Sequence, residues 1–318
     1  MKFLSTVTVA ATAIAVFCAE SVSAKPQFGI PWGADDRWAK KIPSGVISWY
    51  HHWEKGYVAQ MPKHTEYVPT FWGPQKYAQW ELRKGEIAKH NSSHILAFNE
   101  PDIPTQANLD PEAAVELWMK ELQPYAEQGK NVSSPQMVWN LNWIQQFMDK
   151  CKARGCKVGF MALHWYGSYK DLDLLKQWIG QIYSRYHLPI WVTEFGVTAD
   201  SNPTQQQVSQ FARDAIQWMS TLPYVERVAW NGGYDIANPP DKFATPFNAL
   251  FANGGQFRQL ANVYLPTLST KIAAQKNQVN HAHGQGHGHG HKRHQHMVKR
   301  VPAFHATQKR SEESELQN

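Results

Sequence analysis

Cysteine is scarce in this chain: there are three in 318 residues, and Cys18 lies in a stretch that is expected to be removed. Cys151 and Cys156 remain, separated by four residues, with no His or Cys pair close by. That spacing excludes the usual cysteine-based metal centres, and an even pair on an oxidising route predicts a small-loop disulfide. Long apolar runs are missing too, apart from the N-terminus. There Lys2 precedes a mostly apolar or small run from Leu4 to Ala19, which Glu20 ends and Val22-Ser23-Ala24 follows as a small-residue cleavage site. The run is too short to anchor the chain in a bilayer and reads as a secretory signal over residues 1–24. No membrane span is expected elsewhere, and the polar C-terminus carries no lipid-anchor signal.

Excess charge of one sign is nearly absent from the body. The chain as a whole carries +6, but the residues from Lys271 onward hold eight Lys/Arg against three Glu, and Lys2 and Glu20 cancel, so residues 25–270 carry 6 − 5 = +1. A body this close to neutral is not a nucleic-acid binder by charge. A glycine-rich phosphate turn is also lacking: Gly29-Ile30-Pro31-Trp32-Gly33 closes the first candidate strand without one. This argues against an open doubly wound sheet that binds a nucleotide.

Aromatic residues are abundant. All 14 tryptophans fall between Trp32 and Trp230. From about Leu268 aromatics nearly vanish and His, Gly, Gln and Lys take over, a composition too poor in apolar surface to offset its ordering entropy. The expected organisation is a signal at 1–24, one domain at 25–267 and a disordered His-rich tail at 268–318.

Within the domain, short apolar runs alternate with amphipathic segments. The candidate strands are 28–32, 46–50, 67–71, 95–99, 132–136, 158–165, 190–194 and 225–230. Asp110-Pro111-Glu112 supplies a cap, a first-turn proline and a first-turn acid for a helix to about Ala126. Leu174, Trp178 and Ile182, with Leu175 and Ile179, form a core-facing stripe over 172–186. Eight βα repeats in roughly 240 residues predict an α/β fold, a single closed (β/α)₈ TIM barrel. The second repeat is poorly resolved, because His51–Gln60 reads as a loop.

The fourth candidate strand ends in Asn99-Glu100-Pro101 and the seventh in Thr193-Glu194-Phe195. The C-terminal rim of such a barrel is where catalytic side chains stand. A single strand-end glutamate is more often solvated or ion-paired. Two of them, each after a buried apolar strand, match the paired carboxylates of glycoside hydrolysis, one an acid and one an anion. The acid needs an apolar or negatively charged setting to keep its proton, and Glu194 beside it supplies part of that.

Phe98-Asn99-Glu100-Pro101-Asp102 resembles the acid/base strand of clan A glycoside hydrolases. The ordered set that adds Val46-Ile47-Ser48-Trp49-Tyr50, Tyr67-Val68-Pro69-Thr70-Phe71-Trp72-Gly73, Ser133-Ser134-Pro135, Ala162-Leu163-His164-Trp165-Tyr166-Gly167, Trp191-Val192-Thr193-Glu194-Phe195 and Tyr224-Val225-Glu226-Arg227-Val228-Ala229-Trp230 is similar to glycoside hydrolase family 128, the β-1,3-glucanases of fungal alkali-sensitive-linkage type. The resemblance implies a hydrolase with Glu100 as acid/base, Glu194 as nucleophile and Asn99 on the 2-hydroxyl of the cleaved sugar. It also implies that His164 or Tyr166 orients Glu194. One departure is Asn231-Gly232-Gly233, where the family usually has an aromatic-glycine pair after the tryptophan, so an altered cleft beside strand eight is expected.

Pyranose rings stack on aromatic faces, and Trp32, Trp49, Tyr50, Trp72, Trp165 and Trp230 are the candidate sugar platforms because they stand near strand ends. The near-neutral body fits a neutral polysaccharide. The expected partner is therefore β-glucan, acted on outside the cell or at its wall by a monomer that needs no cofactor or metal. The alternatives are a β-glucan-binding barrel with little turnover, and a metal-binding surface protein whose function lies in the tail. The tail histidines His281, His283, His287, His289, His291, His294 and His296 can take weak metal or acidic-polymer contacts, but their spacing defines no geometry.

Overall fold

The computed structural model describes residues 25–284, and side chains as far as residue 277. The expected signal segment lies outside the described residues, as does most of the histidine tail. Eight parallel strands form the sheet: β1 (Gln27–Pro31), β2 (Trp49–His51), β3 (Glu66–Tyr67), β4 (His94–Ile95), β5 (Asn131–Ser133), β6 (Val158–Gly167), β7 (Ile190–Val197) and β8 (Val225–Trp230). Their order is β3-β2-β1-β8-β7-β6-β5-β4. The two outer members meet just past β3, where the Leu96 amide donates to the Pro69 carbonyl at 2.9 Å and the Phe71 amide donates to the Leu96 carbonyl at 2.9 Å. The expected barrel is therefore closed.

Its helices are α1 (Tyr77–His90), α2 (Pro111–Glu121), α3 (Gln123–Glu127), α4 (Leu141–Arg154), α5 (Leu172–Tyr186), α6 (Gln205–Met219), α7 (Gln259–Tyr264) and α8 (Leu268–Gly284). The stretch after β2 is a loop, as its sequence implies. β3 and β4 are shorter than their apolar runs. Pro69 has no amide to give a ladder, and beyond Ile95 the chain pairs through single bridges, Thr70 to Leu96 and Asn99 to Gln136.

Two buried layers hold the barrel. Trp49, Val68, Leu96, Phe160, Ala162, Trp191 and Ala229 fill its interior, and a larger cluster lies between the strands and the helices. The floor is tied by Arg227, which stacks on Trp191 at 3.9 Å and pairs with Glu66 at 2.8 Å. Cys151 and Cys156 are joined in a disulfide, their Cα atoms 4.9 Å apart, across the Gly155 turn (φ +77°) that ends α4. None of the helices among the described residues is long and apolar enough to cross a membrane.

Composition predicts disorder from residue 268. The structure corrects the near end of that boundary: α8 begins there, with Leu268 buried and Ile272 packed on the core. Two apolar residues at i and i+4 give the helix one face to bury despite its polar composition.

Candidate active site

The position of Glu194 depends on one extra residue. β6 and β7 pair evenly from Met161–Ile190 to Leu163–Val192, and then His164 pairs with Glu194, leaving Thr193 over. Trp191 and Ala162 face the barrel interior. Simple alternation would then turn Thr193 inward and Glu194 outward. The bulge reverses this and sets Glu194 in the same inward layer as His164. His51, fully buried, donates Nε2–H to the Thr193 carbonyl at 3.1 Å and so supports the bulge. Burial pushes the His51 pKa down to about 3, so its ring is neutral with the single proton on Nε2.

Glu194 is 4 % exposed and both its oxygens are held. Trp53 donates its indole N–H to Oε1 at 2.5 Å and Tyr166 donates its hydroxyl to Oε2 at 2.6 Å. Asn231 in turn donates to the Tyr166 hydroxyl oxygen at 2.5 Å. Burial raises the Glu194 pKa above the ordinary carboxylate value. His164 works against that rise, Glu100 adds to it, and the Tyr166 and Trp53 hydrogen bonds oppose it.

Glu100 sits at a left-handed backbone position, φ +45°, unusual for a side chain with a Cβ. Its amide donates to the Gln136 carbonyl and its own carbonyl accepts from Ile103, both at 3.0 Å, so the turn is held from two sides. Its Oε1 lies 2.8 Å from His164 Nδ1, and Oε2 has no hydrogen-bond partner among the described residues. Gln136 donates its amide to the Ala97 carbonyl at 3.0 Å, which turns its own Oε1 toward His164 Nε2 at 3.3 Å. An acceptor there requires a proton on Nε2. Burial opposes a charged ring, but the Glu194 and Glu100 carboxylates outweigh it and hold His164 above the ordinary imidazole value. His164 Nε2 is also 3.5 Å from Glu194 Oε1, so one ring lies within reach of both carboxylates. Donor atoms of Glu100, His164 and Glu194 all lie within 4.8 Å of one another, close enough to ligate a cation. With its two nitrogens facing Glu100 and Gln136, however, His164 has none free for one.

Glu100, Glu194, Trp53, Tyr166 and Asn231 open on a cleft of about 350 Å³, lined also by Trp72, Asn99, Gln106 and Phe243. Asn99 donates to Gln106 at 3.1 Å, while its buried Oδ1 has no partner among the described residues. Of the six candidate platforms, only Trp72 borders this cleft, with the Lys76 ammonium 4.3 Å over its ring. Four of the others, Trp32, Trp49, Tyr50 and Trp230, are 0 % exposed and are corrected, while Trp165, at 3 %, stacks on Phe211 at 5.1 Å and borders a neighbouring groove instead. Barrel strands bury one face in the interior and the other under helices, so an aromatic inside a strand has no free face. Trp53 and Phe243 are the aromatics that sequence reasoning missed. β2 runs to His51 rather than Tyr50, which moves its exposed end toward Trp53.

The resemblance left open whether His164 or Tyr166 contacts Glu194. Tyr166 makes the short hydrogen bond, and His164 approaches both carboxylates. The departure at Asn231 proves to be part of the cleft wall, through its bond to Tyr166.

Residues 29–264 match the family model described as glycosyl hydrolase catalytic core. Alkali-sensitive linkage protein 1 of Schizosaccharomyces pombe is 28% identical over 260 residues, covering 77% of this chain. The chain spans 45% of the length of that relative, about half. Among solved structures, a curdlan-specific exo-β-1,3-glucanase of glycoside hydrolase family 128, subgroup III, from Blastomyces gilchristii is 30% identical. That match covers 75% of this chain and 97% of the other, with a TM-score of 0.61. A subgroup I endo-β-1,3-glucanase from Amycolatopsis mediterranei, solved as a glutamate-to-alanine variant with laminaritriose and laminaribiose, is 27% identical. It covers 75% of this chain and 98% of its own, with a TM-score of 0.63.

Proposed function

This chain belongs to the glycosyl hydrolase catalytic core family and within it to glycoside hydrolase family 128, and from that membership we propose that it is a secreted retaining enzyme that cleaves β-1,3-glucan by double displacement. The observation that carries the reading is the spacing of the two glutamates. A carboxylate oxygen of Glu100 lies within 4.8 Å of one of Glu194. Retaining enzymes hold their carboxyls about 5–5.5 Å apart, and inverting ones leave room for a water between them.

In the first step Glu194 attacks the anomeric carbon while Glu100 gives a proton to the departing glycosidic oxygen. A glycosyl ester on Glu194 results, and its charge is gone. Glu100, now a carboxylate, takes a proton from water, which attacks the same carbon and frees Glu194. Tyr166 and Trp53 fix the rotamer of the attacking carboxylate. The Oε2 of Glu100 is the oxygen left for the leaving group, since Oε1 faces His164. The open Oδ1 of Asn99 accepts from the 2-hydroxyl of the sugar being cleaved. The β-1,3 linkage rests on the relatives, whose crystals hold laminari-oligosaccharides. Secretion rests on the signal-like segment at 1–24, and a secreted protein beginning at Lys25 would support it.

Incubation with laminarin and curdlan tests the activity, with proton NMR of the first product. The β-anomer is expected first, before mutarotation, and an α-anomer would overturn retention. Glu194→Ala and Glu100→Gln are each expected to lose at least about 100-fold in turnover. Substantial hydrolysis by either folded variant would refute its assigned role. Binding of laminarin without any release of sugar by the wild type would favour the binding-protein alternative.

A further inference from the structure

A second groove, about 590 Å³, continues from the catalytic cleft between the end of β6, the end of β7 and the start of α5. Tyr166 and Phe243 line both spaces. Their rings meet edge to face at 5.4 Å, so they form a saddle over which one space passes into the other. Five large apolar side chains are exposed among the described residues, and three of them line this groove: Trp139 at 58 %, Phe243 at 55 % and Leu174 at 54 %. Exposed apolar residues scattered singly need no explanation, but three gathered in one groove do. Between them stand Lys170, Asp171 and Asp200, giving the groove hydrogen-bonding groups of both signs and little net charge.

We propose that this groove holds the continuation of the polysaccharide chain whose scissile bond lies between Glu100 and Glu194, with Trp139 as its outer stacking platform. The inference rests on the hydrolase reading above. An occupant with apolar C–H faces and hydroxyl edges matches a lining of aromatic faces and polar groups. It is also the occupant whose other end the adjoining cleft already receives. None of the groove's outer residues touches Glu100 or Glu194 in the hydrogen-bond network, so they contribute to binding of long chains and not to the chemical step.

The test compares wild type, Trp139→Ala and Leu82→Ala on laminaritriose and on laminarihexaose. Leu82 is 66 % exposed on α1, outside both spaces, and serves as the control. Trp139→Ala is expected to raise KM for the hexaose about tenfold, the worth of one aromatic contact, with a much smaller change for the triose. Leu82→Ala leaves both values as in wild type. A hexaose-to-triose ratio in Trp139→Ala equal to that of wild type would overturn the groove while the hydrolase reading stands. Where the wild type hydrolyses neither sugar, that reading has failed, and calorimetric titration with laminarihexaose decides the groove separately. Weaker binding by Trp139→Ala than by wild type supports it. Equal binding, or none by either protein, overturns it.

Discussion

Among the described residues, Tyr166 supplies one of the two hydrogen bonds that favour the ionised form of Glu194, and this fixes a sign. In the proposed mechanism Glu194 must lose its proton before it can attack. Burial raises its pKa, so the acid limb of kcat/KM is expected above the ordinary carboxylate range. Tyr166→Phe removes a group that pulls the value down, so the limb should move to higher pH, and kcat should fall as the carboxylate loses a restraint. A pH profile of the variant with an unmoved acid limb would show that the hydroxyl does not tune Glu194. At this scale the sequence is partly legible. Glu100 and Glu194 stand out because each ends an apolar run. The bulge at Thr193 and the left-handed turn at Glu100 leave no composition signal, yet both decide where the carboxylates point. The sugar platforms were misplaced for a related reason: strand-end position does not reveal whether a ring is covered, and Trp32, Trp49, Tyr50 and Trp230 all are.

Elements with strong local signals fall where the chain implies. Asp110 caps α2, and the expected apolar stripe of α5 is buried at Leu175, Trp178, Ile179 and Ile182, whereas Leu174, expected on the same stripe, is exposed one position around the helix from the core. Short strands are harder to bound, because β3 and β4 hold their neighbours through two-residue ladders and single bridges whose partners are distant in sequence. The end of β8 shows how closely such elements approach. Gly233 bridges to Trp32, and its carbonyl accepts from the Gly33 amide at 2.9 Å. A Cβ on Gly233 would stand 2.1 Å from the Pro31 carbonyl oxygen, and one on Gly232 would stand 2.2 Å from that of Asn248. Both obstacles are backbone, which cannot rotate away. Gly233→Ala is therefore expected to destabilise the fold by about 1–3 kcal/mol through overpacking, which thermal unfolding would register as a drop of several degrees. Activity should fall with it, because the same turn carries Asn231 and its bond to Tyr166. An unchanged melting temperature would mean that the β1–β8 seam opens more readily than its close contacts imply.

For the whole molecule, the division of charge separates two tasks. The groups invoked for hydrolysis all fall between Trp53 and Phe243, inside a body whose net charge is +1 over residues 25–270. Beyond residue 284 the chain adds six histidines, six Lys/Arg and three Glu. Removing residues 285–318 should leave kcat/KM on soluble laminarin unchanged, because the described groups of the cleft and of its packing all lie before residue 285. A cut at residue 271 would be a poorer test, since it removes Ile272, which packs against the core from α8. The shortened protein should, however, release from an anionic matrix at lower salt than the full chain. That difference should widen from pH 7.5 to pH 5.5, since unperturbed histidine gains its charge near pH 6.5. The two outcomes come apart cleanly. A fall in laminarin hydrolysis would place part of the catalytic function in the tail, against the glucanase reading. Equal salt elution at both pH values would remove the tail as an acidic-polymer contact and leave the barrel alone to locate the enzyme on its substrate.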